Sequence, residues 1–284
     1  MARWDRLSSR GNVQDRRGMA RPAAAVGGLG ALGLIAVVVI SLLGGGGLEP
    51  ALEQLATQQA QTPTEAVQPE EFEGEDDYEV FASTVLGSTD DLWNQIFAAN
   101  NLTYAEPTLV LFRGSTESAC GGANSAIGPH YCPRDETIYL DETFFDELTA
   151  RFGAQGGDVA EAYVIAHEVG HHVQNRLGVM ESIQRQQQSV SRTEANSLSV
   201  GLELQADCLA GIWANYVREF GVFERGEIRE ALDAAAAVGD DRIQAAMQGS
   251  VNPESWTHGS SEDRVAWFTV GYETGEPSQC NSAG

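Results

Sequence analysis

The most restrictive feature of the sequence is residues 162–174, A-Y-V-I-A-H-E-V-G-H-H-V-Q, in which two histidines stand four residues apart. Apolar residues recur at three- and four-residue steps from Val159 to Leu177, which predicts an amphipathic helix. Asp158 is a predicted N-cap and Gly178 a predicted helix end. Because side chains four residues apart share one face of a helix, both imidazoles can reach a single ion.

The pattern H-E-x-x-H also supplies the chemistry of a catalytic zinc site. His167 and His171 can bind zinc through nitrogen, and a catalytic site keeps a position open for water. Glu168 is rotated about 100° around the helix from His167. Its carboxylate can therefore act as the general base that takes a proton from the attacking water.

Two histidines leave one protein ligand missing, and residues 203–208, E-L-Q-A-D-C, offer it. Glu203 and Asp207 lie one turn apart in a helix predicted over residues 194–219. Two acidic side chains in an otherwise apolar helix cost free energy unless they have a buried role. Glu203 is the predicted third zinc ligand, and Asp207 the predicted acceptor of the spare N–H of a ligand histidine.

A third candidate lies in residues 256–264, W-T-H-G-S-S-E-D-R, just before a predicted helix start. His258 in such a turn can donate a hydrogen bond to the oxyanion that develops during catalysis. A loop histidine with a structural hydrogen bond is an equal alternative. Upstream, residues 138–141 are a candidate strand for holding a substrate backbone by strand addition. His172 is expected to point away from the metal.

The distribution of charge argues against nucleic acid as a partner and indicates a membrane-spanning segment. The formal net charge of −24 argues against nucleic acid binding. Residues 1–22 carry six arginines and two aspartates, whereas the rest of the chain is strongly acidic. Residues 23–43 are uncharged and long enough for a transmembrane helix. A cleaved signal peptide and a buried core helix are the alternatives.

This pattern predicts four regions. Residues 1–22 would be a basic cytoplasmic head, 23–43 a single transmembrane helix, and 44–70 a flexible tether. Residues 71–284 would form an extracytoplasmic domain of α+β class, with helices and strands predicted from the periodicity. The cell membrane is then the expected location.

The chain has four cysteines, an even number that fits an oxidising compartment. Three pairings are possible. Cys120 with Cys132 and Cys208 with Cys280 is the favoured set, and free buried thiols are the alternative.

Several motifs together resemble the neutral zinc metallopeptidase family of bacterial membrane-anchored proteins. They are N-V-Q-D-R-R-G at 12–18, C-G-G at 120–122, Y-C-P at 131–133, I-Y-L-D at 138–141, the H-E-x-x-H segment, E-L-Q-A-D-C, and T-H-G-S-S-E-D-R at 257–264. The resemblance covers nearly the whole chain apart from the tether. It implies a zincin-like fold with His167, His171 and Glu203 as zinc ligands and Glu168 as base. The E-x-x-x-D element is similar to that of gluzincins, including thermolysin-like peptidases, and the downstream histidine element of some membrane proteases favours His258.

The expected function is that of a membrane-anchored zinc metallopeptidase with one Zn²⁺ per chain and a peptide or protein substrate. A non-enzymatic zinc-containing scaffold of the cell envelope is the alternative, and a zinc hydrolase acting on a lipid or cell-wall amide is a third reading. Glu168 favours an enzyme, because a structural zinc site has no need of a base.

Overall fold

The structure is a computed structural model. It describes residues 2–8, 10–18, 70–71, 76–124, 127–154, 156–224 and 226–281. The chain divides into two compact units, Met1–Arg16 with Glu70–Gly284 and Arg17–Pro69, and the described elements belong to the first.

Helices make up most of this unit, in accordance with the predicted α+β class. The helices that the apolar periodicity predicted around the histidine and glutamate motifs are present and are 19 and 27 residues long. The helices are α1 (Asp77–Ala99), α2 (Phe144–Phe152), α3 (Asp158–Arg176), α4 (Val179–Gln187), α5 (Arg192–Arg218), α6 (Ile228–Ala237), α7 (Asp240–Gln248) and α8 (Ser261–Thr274).

A small mixed sheet accompanies the helices. Its strand order is β2-β1-β3-β7-β6, in which β1, β3 and β7 are parallel and the two outer strands are antiparallel to their neighbours. β4 and β5 form a separate hairpin. The strands are β1 (Asn12–Asp15), β2 (Glu70–Glu71), β3 (Thr108–Phe112), β4 (Ser115–Ser118), β5 (Gly121–Asn124), β6 (His130–Cys132) and β7 (Thr137–Asp141).

The N-terminal residues differ from the predicted separate head, because they are part of the folded unit. β1 pairs with β3 along its whole length, and Val13 is 2% exposed. The Trp4 ring stacks on Trp213 with centroids 6.3 Å apart. The prediction missed β1 because N-V-Q-D contains one apolar residue, too few to show a strand period.

The same N-terminal residues contact the start of α3. The Ala2 amide and the Trp4 indole donate hydrogen bonds of 3.0 and 2.9 Å to Asp158 Oδ2. Asp158 is the first helical residue, and the N-cap position belongs to Gly157, so the predicted capping role of Asp158 is wrong. Its carboxylate instead fixes the N-terminal segment to the helix that carries the histidines.

The predicted transmembrane helix at 23–43 and tether at 44–70 lie outside the described residues, except Glu70, which is in β2. Among the helices of the described ranges, none is long and apolar enough to cross a membrane.

Close helix packing brings the two ligand-bearing helices together. A Cβ atom on Gly170 in α3 would lie 3.0 Å from the Ala206 backbone in α5. The absence of a side chain at Gly170 therefore allows the two helices to pack closely. This contact falls beside His171 and Glu203. On the other side of α5, Gly271 of α8 packs against the Cys208 carbonyl, where a Cβ atom would overlap the oxygen.

Both favoured disulfides are present. Cys120 is bonded to Cys132 and Cys208 to Cys280. The first joins the end of β6 to the turn before β5. The second joins the middle of α5 to the C-terminal tail, which follows α8.

Candidate metal centre

The three predicted metal ligands converge between α3 and α5. His167 Nε2 lies 3.2 Å from Glu203 Oε2, and His171 Nε2 lies 3.3 Å from Glu203 Oε1. One ligand atom from each residue can be chosen so that all three lie within 4.8 Å of one another. One carboxylate therefore sits between two imidazole nitrogens that project from adjacent turns of a helix.

This donor set fits a catalytic zinc ion. Two imidazoles and one carboxylate provide three protein ligands and leave a fourth position for water or substrate. The Nδ1 atom of each histidine already has a partner, Asp207 for His167 and Gln174 for His171. Each Nε2 atom therefore faces the site and is the nitrogen that would bind a metal once it carries no proton.

Asp207 lies next to His167, as expected for the partner of a ligand histidine. Its Oδ1 atom is 2.9 Å from His167 Nδ1 and also accepts a hydrogen bond from the Tyr163 hydroxyl. The side chain is fully buried. Burial alone would raise the pKa of Asp207, but Arg264 and His167 outweigh it and hold the pKa below its ordinary value. Asp207 is therefore an anion that orients His167.

Arg264 is a member of this network whose role was not predicted from the sequence. Its Nε atom donates to Asp207 Oδ2 at 2.8 Å and its Nη2 atom to Asp207 Oδ1 at 3.0 Å. Arg264 is 3% exposed, so the charge of Asp207 is neutralised inside the protein. An arginine six residues after His258, on the helix that follows it, is the only sequence signal for this contact.

The charges around His167 and Glu203 stabilise each other. Burial would lower the pKa of His167, but Asp207 and Glu203 outweigh it and raise the pKa to about 10. Burial would raise the pKa of Glu203, but His171 and His167 hold it well below its ordinary value. A metal ion at this position must therefore displace a proton from the imidazole.

Glu168 and His258 both face the same cleft as the three ligands. The cleft has a volume of about 520 Å³, and its lining includes Glu168, His171, Glu203 and His258. Glu168 is 7% exposed and directly follows the first ligand in α3. The structure thus brings the predicted base and the predicted oxyanion donor to one cavity with the metal ligands.

His258 is held by Asp240, a residue that was not predicted from the sequence to belong to the site. Asp240 Oδ2 accepts backbone N–H bonds from Thr257, His258 and Gly259 at 2.7, 2.6 and 3.0 Å. Its Oδ1 atom lies 3.3 Å from His258 Nδ1. Burial would lower the pKa of His258, but Asp240 and the more distant Glu203 raise it above its ordinary value. No spacing in the sequence links Asp240 to the turn at 257–259.

The edge strand beside the cleft is β6. The prediction that residues 138–141, in β7, bind a substrate backbone is therefore wrong. β7 pairs with β3 on one side and β6 on the other, which leaves no free edge. Among the described strands, β6 has no second neighbour, and His130 and Tyr131 line the cleft. His130 stacks on Tyr139 of β7 with ring centroids 5.3 Å apart.

His172 points away from the metal ligands, as expected. Its Nε2 atom donates to the Ala105 carbonyl at 2.6 Å, and its Nδ1 atom lies 3.0 Å from the Tyr131 hydroxyl. The ring is completely buried. His172 therefore joins α3 to β6 on the side away from the ligands.

The rest of the cleft lining is apolar except for Ser199. Arg264 is the only lysine or arginine among its described lining residues, and it is paired with Asp207. The apolar members are Ile127, Pro129, Phe144, Val164, Met180, Leu202, Val238 and Ile243.

Comparison with known proteins agrees with this site. The family model described as "Putative neutral zinc metallopeptidase" matches residues 2–283. Uncharacterized protein YpfJ of Escherichia coli strain K12 is 43% identical over 291 aligned positions, which cover 99% of each chain. Uncharacterized protein Rv2575 of Mycobacterium tuberculosis strain H37Rv is 45% identical over 205 positions, 69% of this chain and 67% of that protein. No solved structure shows a significant match. With its family model matched over nearly the whole length, this chain belongs to the neutral zinc metallopeptidase family.

Proposed function

We propose that this protein is a zinc-dependent metallopeptidase that hydrolyses peptide bonds, with His167, His171 and Glu203 as zinc ligands and Glu168 as general base. The observation that carries the proposal is the position of Glu168. A carboxylate that is no ligand lines the same cleft as an open three-ligand site. A structural zinc site is closed by four protein ligands and has no use for such a group.

When bound, a zinc ion supplies Lewis acidity, which acidifies a water molecule and polarises a carbonyl. Glu168 takes the proton of the attacking water and passes it to the amine that leaves. His258, held by Asp240, donates a hydrogen bond from its ring to the oxyanion that forms from the substrate carbonyl. Asp207 and Arg264 keep His167 fixed throughout.

The cleft favours an extended peptide with apolar side chains. The free edge of β6 can accept a substrate backbone as an added strand. The apolar lining around the ligands stabilises apolar side chains of a substrate. The acidic character of the chain, with a net charge of −24, disfavours strongly acidic substrates.

The test uses the full chain, because β1 belongs to the folded unit. The zinc-loaded protein is incubated with a mixed peptide library, and cleavage products are identified by mass spectrometry. Glu168→Gln keeps the shape of the side chain and the three ligands but removes the base. We expect cleavage by the wild type and a loss of at least about 100-fold in the variant, the scale of general-base catalysis.

Glu181→Gln is the matched control, since Glu181 is an exposed residue of α4 that pairs with Arg185 and does not line the cleft. It should cleave like the wild type. Equal cleavage by the wild type and Glu168→Gln would contradict the role of Glu168. Zinc binding without cleavage of any peptide would contradict peptidase activity and favour the scaffold.

A further inference from the structure

The two histidine ligands are held by different kinds of partner. His167 Nδ1 meets the Asp207 carboxylate, whereas His171 Nδ1 lies 2.9 Å from the side-chain oxygen of Gln174. Gln174 is 1% exposed and lies three residues after His171 in α3, so it is on the same face one turn later. A buried glutamine at this place has no role in the hydrolysis proposed above.

Hydrogen bonds fix which way the Gln174 amide points. Its Nε2 atom donates to the Leu202 carbonyl at 2.7 Å and to Gln205 Oε1 at 3.1 Å. If the amide were flipped, its oxygen would face both acceptors and those two bonds would be lost. Gln174 Oε1 must therefore face His171, which makes Nδ1 the protonated nitrogen of that ring. The lone pair of His171 is then on Nε2, the atom that faces Glu203.

The same amide joins the two helices that carry the ligands. Leu202, which accepts one of its hydrogen bonds, directly precedes Glu203 in α5. Gln174 thus contacts His171 on one helix and the backbone next to the third ligand on the other. A shift of the Gln174 amide would therefore disturb the positions of both His171 and Glu203.

Gln174 is in turn held from the C-terminal tail. Gln205 Nε2 donates to the Cys280 carbonyl at 2.8 Å, which turns Gln205 Oε1 towards Gln174. Cys280 is fixed to α5 by its disulfide with Cys208. A continuous path of hydrogen bonds therefore runs from the tail through two glutamines to a metal ligand.

We propose that Gln174 is a positioning residue that fixes the tautomer and orientation of His171, and that Gln205, bound to the disulfide-tethered tail, holds Gln174 in place. This inference rests on the proposed zinc site but not on peptide hydrolysis. It makes zinc affinity depend on two side chains that need not touch the ion or the substrate.

The experiment compares the zinc affinity of full-length variants by competition with a chromophoric chelator. Gln174→Met keeps the size of the side chain and removes every hydrogen bond. We expect its zinc dissociation constant to rise about 10- to 100-fold, the usual effect of losing a partner of a ligand histidine. The visible spectrum of the Co²⁺-substituted protein should also change, because the geometry at the metal is altered.

Gln187→Met is the matched control. Gln187 Nε2 also bridges neighbouring helices, with hydrogen bonds of 3.0 Å to the Ala195 carbonyl and 2.9 Å to Ser199 Oγ, but it makes no described contact with a ligand. Its zinc affinity and Co²⁺ spectrum should match those of the wild type. An equal loss of affinity in both variants would show a general effect of weaker helix packing and overturn the proposal.

Gln205→Met provides the second variant, since Gln205 is only partly buried and contacts Gln174 rather than His171. It should weaken zinc binding by less than Gln174→Met and alter the Co²⁺ spectrum in the same direction. Unchanged affinity in Gln174→Met, or in Gln205→Met if the first does not fold, would overturn the proposal. Because the readout is metal binding, a wild type that binds zinc but cleaves no peptide would leave this inference standing and refute only the proposed activity.

Discussion

At the scale of single residues, Asp240 and His258 form the pair whose role can be separated most clearly from metal binding. His258 is half exposed and lines the cleft, whereas the Asp240 carboxylate accepts three backbone N–H groups of the same turn. The turn therefore holds the backbone of His258, and the Asp240 carboxylate acts to raise the pKa of its ring.

The pH dependence of catalysis tests this pair. The pKa of His258 is raised above its ordinary value, with Asp240 as the largest contribution in that direction. A protonated ring is the better donor, so kcat/KM should fall as the pH rises through this pKa. Asp240→Asn removes the negative charge, which lowers the pKa of His258 and moves the fall to lower pH. Identical pH profiles would contradict the assignment.

Removal of the ring itself should affect the rate more than the affinity for zinc. We expect His258→Gln to lower kcat about 100- to 1,000-fold, the usual cost of losing one oxyanion donor. Zinc content should stay at the wild-type value because His258 is not among the predicted ligands. A variant with full kcat would make His258 a structural loop residue, the alternative that the sequence left open.

The sequence predicted residues whose spacing within one helix determines their function. His167, Glu168 and His171 follow from one motif, and Glu203 and Asp207 from another. Asp240 and Gln174 were missed for a physical reason. Asp240 accepts hydrogen bonds from residues 17 to 19 positions later in the chain. Gln174 contacts His171, but a glutamine is common in an amphipathic helix and does not stand out in the sequence. Their roles depend on contacts that helix periodicity cannot show.

At the scale of elements, the contact between α5 and α8 supports the metal centre. Gly211 of α5 lies against the Phe268 carbonyl of α8, and a Cβ atom there would overlap the oxygen. The close approach allows Arg264 at the start of α8 to reach Asp207 within α5. The ion pair is buried from both sides, because Arg264 is 3% exposed and Asp207 is fully buried.

Arg264→Met should destabilise the protein strongly. Removing one partner of a buried ion pair leaves the Asp207 charge uncompensated, which costs about 3–5 kcal/mol of unfolding free energy. Urea denaturation of the metal-free protein measures the loss. Arg185→Met is the control, since Arg185 makes an exposed pair with Glu181 in α4 that is worth less than about 1 kcal/mol. A loss no larger than that of the control would show that the buried pair contributes little.

Prediction of the elements followed the strength of their apolar periodicity. The long helices α3 and α5 were expected close to their observed bounds. The short helices α2, α4 and α7, of nine residues each, were not predicted because so few turns give little periodic signal. The edge position of β6 was also not predicted, because the pattern of three residues does not show which strands it pairs with.

At the scale of the whole molecule, the N-terminal segment is part of the folded unit. β1 lies between β2 and β3, so residues 12–15 belong to the sheet whose edge strand β6 lines the cleft. The predicted anchor at 23–43 and the predicted location in the cell membrane stay predictions.

Truncation tests the requirement for the N-terminal strand. A chain that begins at residue 70 lacks β1 and the Trp4 ring, which stacks on Trp213 of the core. We expect it to lose cooperative unfolding and zinc binding. A synthetic peptide of residues 2–18 added in trans should restore both, whereas the same peptide with Val13→Asp should not. A truncated chain that folds and binds zinc by itself would contradict an essential role for β1.

Zinc K-edge X-ray absorption of the full-length protein, combined with metal analysis, is the most direct test of the metal centre. We predict one zinc per chain with two imidazole nitrogens at about 2.0–2.1 Å and oxygen ligands in the remaining positions. Zinc should be lost in His171→Ala and Glu203→Ala and retained in Glu168→Gln. Sulfur ligation, no bound zinc, or full zinc occupancy after removal of Glu203 would contradict the metal centre described above.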